Sequence, residues 1–354
     1  MSDSSAPRQV VFVVGSGRSG TSTIAGALQT LGLRVPQPEV QADDTNPKGF
    51  GEPQWAVDFH DELLQRCRVQ VSDARPSAWF DAGKLATDEE LRTRIAEWLE
   101  GQFEAGPELV VKDPRLAWFM GLWRTGAMRV GATSSYITML RPVTEVVGSK
   151  QKYYDTTWGE VNRTAAWVNM MLHTERGTRG STRRFVRYHD LISDWTVPIF
   201  DLGQAFDLGT VQTASANDIR KVHQFIDPNL RRVQLTWDDV DVPARLREIA
   251  EETWQHLDRV VDPEQDDATT HAVFDELRSA YATFYGECEA VAQSSVIAAK
   301  REGAAQRRAR SGQAPKASAE PAPSSRVDRI PHSVRAMVPA SARRGLRKAL
   351  GRER

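Results

Sequence analysis

Cysteine is nearly absent: 354 residues include only Cys67 and Cys288, far apart in the chain. That excludes a disulfide scaffold and points to a reducing, cytosolic setting. Long apolar runs are missing too. Near the start the longest is Val10 to Val14, too short for a signal segment or for the roughly 20 residues of a membrane helix. The 7 histidines are scattered, and no His/Cys/Asp cluster has metal-ligand spacing. No metal is therefore expected. There is little net charge, −1, and the 26% charged and 40% hydrophobic residues exclude a wholly disordered or fibrous chain. No internal repeat is visible.

The small net charge hides an asymmetry. From Lys300 onward 15 basic residues stand against 4 acidic ones, whereas the preceding chain has 31 against 43. An acidic body with a basic tail suggests two different jobs. Residues 1–8 read as a flexible N-terminus and 9–299 as one folded domain. Residues 300–328, mostly Ala, Arg, Ser, Gln and Pro, read as a disordered linker, because they have too little apolar surface to offset the entropy of ordering. Residues 329–354 read as a basic amphipathic tail. There Ile330, Val334, Val338, Ala342, Leu346 and Leu350 recur every four residues among Arg335, Arg343, Arg344, Arg347 and Lys348, with a break at Pro339. Such a tail suits an anionic membrane surface, or equally a solubilising or partner-binding role. The acidic body, and the lack of aromatics between the basic residues, argue against nucleic acid.

Within the domain, Gln9 to Val14 has the apolar, β-branched composition of a buried strand. A glycine-rich turn, Gly15 to Gly20, leads into a helix over Thr21–Leu31 that stops at Gly32. Further strands are expected at Leu109–Val111, Tyr136–Leu140 and Phe185–Tyr188. Helices are expected at Trp55–Arg68, Leu91–Phe103, Val143–Tyr154, Trp158–Glu175 and His271 to about Lys300, with helical signals throughout the region after residue 200. This alternation predicts an α/β fold with a central parallel sheet flanked by helices.

The turn Gly15-Ser16-Gly17-Arg18-Ser19-Gly20-Thr21-Ser22-Thr23 is the most informative stretch. Its glycines permit a tight turn, and the helix start behind it attracts an anion. Gly15 and Gly20 have the Walker A spacing, but Thr21 stands where that motif has its Lys, which disfavours an ordinary kinase or ATPase. Gly15, Gly17 and Gly20 spell G-x-G-x-x-G, yet Glu39 lies among Pro36 and Pro38 with no strand leading to it, which disfavours a dinucleotide oxidoreductase. A third reading is a single-phosphate cradle, with Arg18 as built-in cation and Ser19, Thr21, Ser22 and Thr23 as hydroxyl donors.

On these residues the loop resembles the 5′-phosphosulfate loop of sulfotransferases that use 3′-phosphoadenosine 5′-phosphosulfate (PAPS), with Arg18 where many members have Lys. The family's second signature, an Arg ending a strand and a Ser eight residues on that hold the 3′-phosphate, is matched by Arg141 and Ser149. Asn46-Pro47-Lys48-Gly49-Phe50-Gly51-Glu52, Val111-Lys112-Asp113-Pro114-Arg115 and Arg187-Tyr188-His189-Asp190-Leu191 resemble bacterial, carbohydrate-directed members. In the last of these His189 replaces a commoner Glu. The likeness spans about residues 9–235. The glycine-rich 3′-phosphate loop of animal cytosolic members is not recognisable. Phe225 to Arg232 stands in its place, with Arg231 and Arg232 able to close over the nucleotide.

The resemblance implies a P-loop-NTPase-like sulfotransferase fold over residues 9–299, with PAPS as co-substrate and no metal. It implies nucleotide binding by Gly17, Arg18, Ser19, Gly20, Thr21, Ser22, Arg141 and Ser149, with Arg18 also stabilising the leaving phosphate. The acceptor would be a hydroxyl of a carbohydrate or glycolipid, sulfated in the cytoplasm or at the inner face of a membrane. Glu52 is the first candidate for the general base and His60 the second. Lys112 and Arg115 are candidates for binding nucleotide or acceptor. Of the tryptophans, Trp55, Trp79, Trp118, Trp123 and Trp158 among them, most are expected in the core and a few as stacking faces for sugar rings. The rival readings are a nucleotide-dependent kinase or oxidoreductase using the same loop, and a non-catalytic scaffold acting through its tail.

Overall fold

The fold is described from a computed structural model, for residues 7–43, 46, 49–153, 158–226 and 234–312. Gln9–Val14 forms β1, buried at every position. Glu108–Lys112 (β2), Thr133–Leu140 (β3) and Thr182–Arg187 (β4) complete a parallel sheet in the order β2-β1-β3-β4. Val11 lies opposite Val110 on one side and Ser135 on the other.

The helices are α1 (Thr21–Leu31), α2 (Gln54–Cys67), α3 (Ala78–Gly83), α4 (Glu89–Phe103), α5 (Leu116–Arg129), α6 (Val143–Tyr153) and α7 (Glu160–Thr178). After β4 come α8 (Tyr188–Ser193), α9 (Thr196–Ala205), α10 (Gly209–Gln212), α11 (Ala216–Phe225), α12 (Ala244–Arg259) and α13 (Ala268–Gly312).

β1 has no polar alternation because both its faces are covered. Val10, Phe12 and Val14 join a core with Phe59 and Leu63 of α2, Ile95 of α4 and Trp123 of α5. Val11 and Val13 join a second core with Ile24 and Leu28 of α1, Leu191 of α8, Ile199 of α9 and Val222 of α11. The fold class is therefore α/β with a central parallel sheet between helical layers. The chain leaves β1 for β2 on one side and returns to β3 on the other. The crevice between β1 and β3, at the carboxyl ends of the strands, is where such sheets bind ligands.

By compactness the chain divides into residues 1–279 and 280–354. The first unit contains the sheet. In the second, α13 continues to Gly312, so the first residues of the segment expected to be a disordered linker are helical. At the other end, Arg8 is anchored rather than flexible: its guanidinium donates two 2.7 Å hydrogen bonds to Glu100 and one to the Val130 carbonyl. The rest of the expected linker, the tail at 329–354, Pro47, Lys48, and Arg231 and Arg232 lie outside the described residues. Among the described residues no helix is long and apolar enough to cross a membrane.

Candidate active site

Beyond Val14 the chain turns through Gly15 to Gly20 into α1. Gly15 and Gly20 have φ of 118° and 93°. A Cβ on Gly15 would press against the Met139 carbonyl of β3, and one on Gly20 would overlap the Tyr188 ring. Only glycine fits at either end of the loop. Arg18 also has a positive φ, 75°, which costs a non-glycine residue about 1–2 kcal/mol; strain of this kind gathers at functional positions. No side chain caps α1 and its first turn has no acidic residue, so the positive end of the helix is open to an anion. Ser19 is fully buried, and among the described residues its Oγ has no hydrogen-bond partner.

The end of β3 meets this loop. Arg18 Nε donates to Ser149 Oγ of α6 at 3.1 Å, and the Arg18 guanidinium lies 4.6 Å from the Tyr153 ring centre. Arg141 Nη1 donates to the Arg18 carbonyl at 3.2 Å, while its Nε holds Glu145 at 2.9 Å and its guanidinium lies over the Tyr188 ring. Arg18 and Arg141, 123 positions apart, thus belong to one cluster.

On the other side of the loop Ser22 Oγ accepts from Asn46 Nδ2 at 3.1 Å and from Lys112 Nζ at 3.2 Å. Lys112, at the end of β2, also pairs with Glu52 at 2.5 Å. Glu52 is held just before α2, where its carbonyl accepts from Val40 N–H. Glu52 is buried, at 7% exposure. Burial pushes it above the usual carboxylate range, and the nearby Asp113 charge adds to this, against the Lys112 ammonium.

His60, the second candidate base, is fully buried and both its ring nitrogens are engaged. Nε2 accepts from Trp123 Nε1 at 2.7 Å, so the proton is on Nδ1, which donates to Asp113 at 2.7 Å. The imidazole has no nitrogen left for an acceptor proton. Arg115 is engaged in the same network, with Nε on Asp61 at 2.7 Å and Nη1 on Asp113 at 3.0 Å. Burial alone would raise the Asp113 carboxyl, but Arg115 and the hydrogen bonds from His60 and the Arg115 N–H hold it well below the usual range. Of the two cations of that motif, Lys112 lies in the site and Arg115 braces it from behind.

Two side chains in the site were not anticipated. Lys150 of α6 donates to Ser16 Oγ of the loop and to Ser72 Oγ, each at 3.2 Å. Ser72 comes from the connection between α2 and α3, which is pinned by Asn169 to the Asp73 and Arg75 carbonyls and by Trp118 to the Val71 carbonyl. Lys150 had a sequence signal: Val143, Val147 and Lys150 follow i, i+4, i+7, which puts the lysine on the buried face of the helix. Ser72 had none. As for the tryptophans, Trp118 and Trp123 are buried, and Trp55 stacks between Phe59 and Trp98, while Trp158 is exposed. Among the described residues no group of three or more His, Cys, Asp or Glu could hold a metal ion.

No protein-family model matches the chain, and no curated protein matches it either. Among solved structures it is similar to the sulfotransferase domain from the curacin biosynthetic pathway, at 14% identity and a TM-score of 0.42, covering 72% of this chain and 99% of that one. It is also similar to the sulfotransferase domain of the Synechococcus PCC 7002 olefin synthase, at 17% identity and 0.41, covering 72% and 95%. Sulfotransferase STF1 from Mycobacterium tuberculosis H37Rv matches at 19% identity and 0.34, covering 62% and 77%.

Proposed function

We propose that this chain is a sulfotransferase that moves a sulfuryl group from PAPS to a hydroxyl of a carbohydrate or glycolipid acceptor. One observation carries the reading: Arg18 of the phosphate loop bonds Ser149 while Arg141 bonds the Arg18 carbonyl, so that two separate anion-binding elements form one cradle. A nucleoside with two phosphoryl groups suits such a cradle better than a nucleotide with a metal-bridged chain. The buried Ser19 Oγ without a partner fits a phosphate acceptor nearby.

PAPS would supply the sulfuryl group. The loop N–H groups, the α1 N-terminus and Arg18 would hold its 5′-phosphate and stabilise the charge that stays there when the bond to sulfur breaks. Arg141 and Ser149 would hold the 3′-phosphate. Glu52 would take the acceptor's proton as the acceptor oxygen bonds to sulfur. Its raised pKa suits it to that step, because a stronger base drives the transfer further. Lys112, between Glu52 and Ser22, would link the base to the loop. The acceptor class is proposed from the likeness of the motifs at 46–52, 111–115 and 187–191 to carbohydrate-directed enzymes, and membrane docking from the basic residues of the tail.

Calorimetric titration with adenosine 3′,5′-bisphosphate (PAP), the product left after transfer, tests the reading without Mg²⁺ and beside ATP and NAD⁺. PAP alone is expected to bind, with Arg18→Ala and Arg141→Ala each weakening it about ten- to a hundredfold, the worth of a charged hydrogen bond. No response to PAP with binding of ATP or NAD⁺ would overturn the proposal.

A further inference from the structure

Lys150 is 7% exposed, in the last turns of α6; the buried carboxylate of that helix, Glu145, is paired with Arg141. The Lys150 ammonium is met by two neutral hydroxyls, Ser16 Oγ from the phosphate loop and Ser72 Oγ from the connection after α2. The charge facing it from α7 is another cation, Arg163. Among the described residues no carboxylate forms an ion pair with Lys150. Every other buried Lys or Asp beside this loop has an opposite charge: Lys112 has Glu52, and Asp113 has Arg115. Burying an ammonium without a counter-charge costs several kcal/mol, and proteins retain such a group where a ligand supplies the missing charge.

We propose that Lys150 is a further binding residue of the donor site, its counter-ion being the phosphoryl anion that the glycine loop holds. The inference rests on the sulfotransferase reading for the identity of the nucleotide, and on Lys150's own surroundings for the anion. Through Ser72, the same ammonium ties the α2–α3 connection to the phosphate loop, so anion binding would draw on both.

The free ammonium titrates low, at about 8, because burial and Arg163 disfavour its charge. Only the protonated form attracts a phosphate, and a bound phosphate raises its pKa. Affinity is therefore constant below about pH 8 and falls by up to tenfold per unit above it. PAP adds no proton of its own there, since phosphate monoesters lose their last proton near pH 6.

The test is calorimetry of the full chain with PAP at pH 7 and pH 9, in two buffers of different ionisation heat, for the native protein, Lys150→Met and Lys150→Arg. The native protein is expected to bind more weakly at pH 9 and to take up a fraction of a proton. Lys150→Met is expected to bind ten- to a hundredfold more weakly at pH 7 and take up none, with a melting temperature equal to or above the native one. Lys150→Arg, whose charge does not titrate, is expected to bind equally at both pH values. A Lys150→Met variant with native affinity and native proton uptake would overturn the proposal and leave the sulfotransferase reading intact, as would a Lys150→Arg variant that keeps the pH dependence. If the native protein ignores PAP, the sulfotransferase reading falls. The same variants titrated with inorganic pyrophosphate then decide Lys150 alone, since pyrophosphate binding absent or equal in native and Lys150→Met protein would overturn it.

Discussion

Two buried charge clusters flank the glycine loop, and they are partnered differently. Behind Glu52, His60, Asp113, Arg115 and Asp61 are joined in one chain of hydrogen bonds, in which Arg115 answers both carboxylates. On the α6 side, Lys150 is answered by Ser16 and Ser72. The central charge of each cluster is buried, Asp113 fully and Lys150 at 7% exposure. A network in which each charge meets an opposite charge needs no ligand, and its removal is felt as lost stability. A buried cation met by hydroxyls is destabilising until an anion arrives, and its removal is felt as lost affinity.

Glu52, paired with Lys112, supplies the largest expected effect. Glu52→Gln is expected to lower kcat by about 10²–10⁴-fold, the usual worth of a general base, while PAP affinity stays native. Because burial raises the carboxyl's pKa, the native protein is expected, on the proposed reading, to lose turnover as the pH falls through a value above the ordinary carboxylate range. The base form is present above that value and lost below it. A kcat profile with an acid limb in the ordinary range, or one unchanged in Glu52→Gln, would remove Glu52 from the chemistry.

The bracing cluster comes next. Asp113→Ala leaves His60 Nδ1–H without its acceptor and Arg115 with Asp61 alone. Breaking a buried network in this way costs roughly 3–5 kcal/mol, to be read as a lower urea midpoint. Lys150→Met, at similar burial, is expected to cost none. Equal losses in the two variants would erase the distinction between the clusters.

What could be read from the sequence followed the same division. β1, its loop and α1 were legible to the residue, because an unbroken apolar run, a glycine turn and a C-terminal Gly32 are local signals. Arg141, Ser149 and Glu52 were singled out through the family resemblance, and Arg141 and Ser149 both meet Arg18. His60 was only the second candidate base, in an acidic stretch. Its engagement depends on Trp123, 63 positions away, which no local pattern reveals. Ser72 was invisible for the same reason: Lys150 brings it to the loop across 78 positions. The continuation of α13 to Gly312 was missed because alanine and arginine, read there as marks of disorder, are also good helix formers.

The smallest effect is the most local, and it separates the strain of the loop from its charge. Arg18→Ala and Arg18→Gly remove the same guanidinium, with its bond to Ser149 and its place beside Tyr153, so both are expected to weaken PAP binding alike. They differ in backbone. At φ 75° alanine retains the left-handed penalty of about 1–2 kcal/mol, whereas glycine escapes it and gives up about 0.5–1 kcal/mol of chain entropy on folding. Arg18→Gly is therefore expected to be the more stable of the two by up to about 1 kcal/mol in urea unfolding, the reverse of the order expected in a helix. The opposite order would mean that the loop relaxes once the side chain is gone, and that the guanidinium's contacts, rather than the glycines around it, hold Arg18 in its strained conformation.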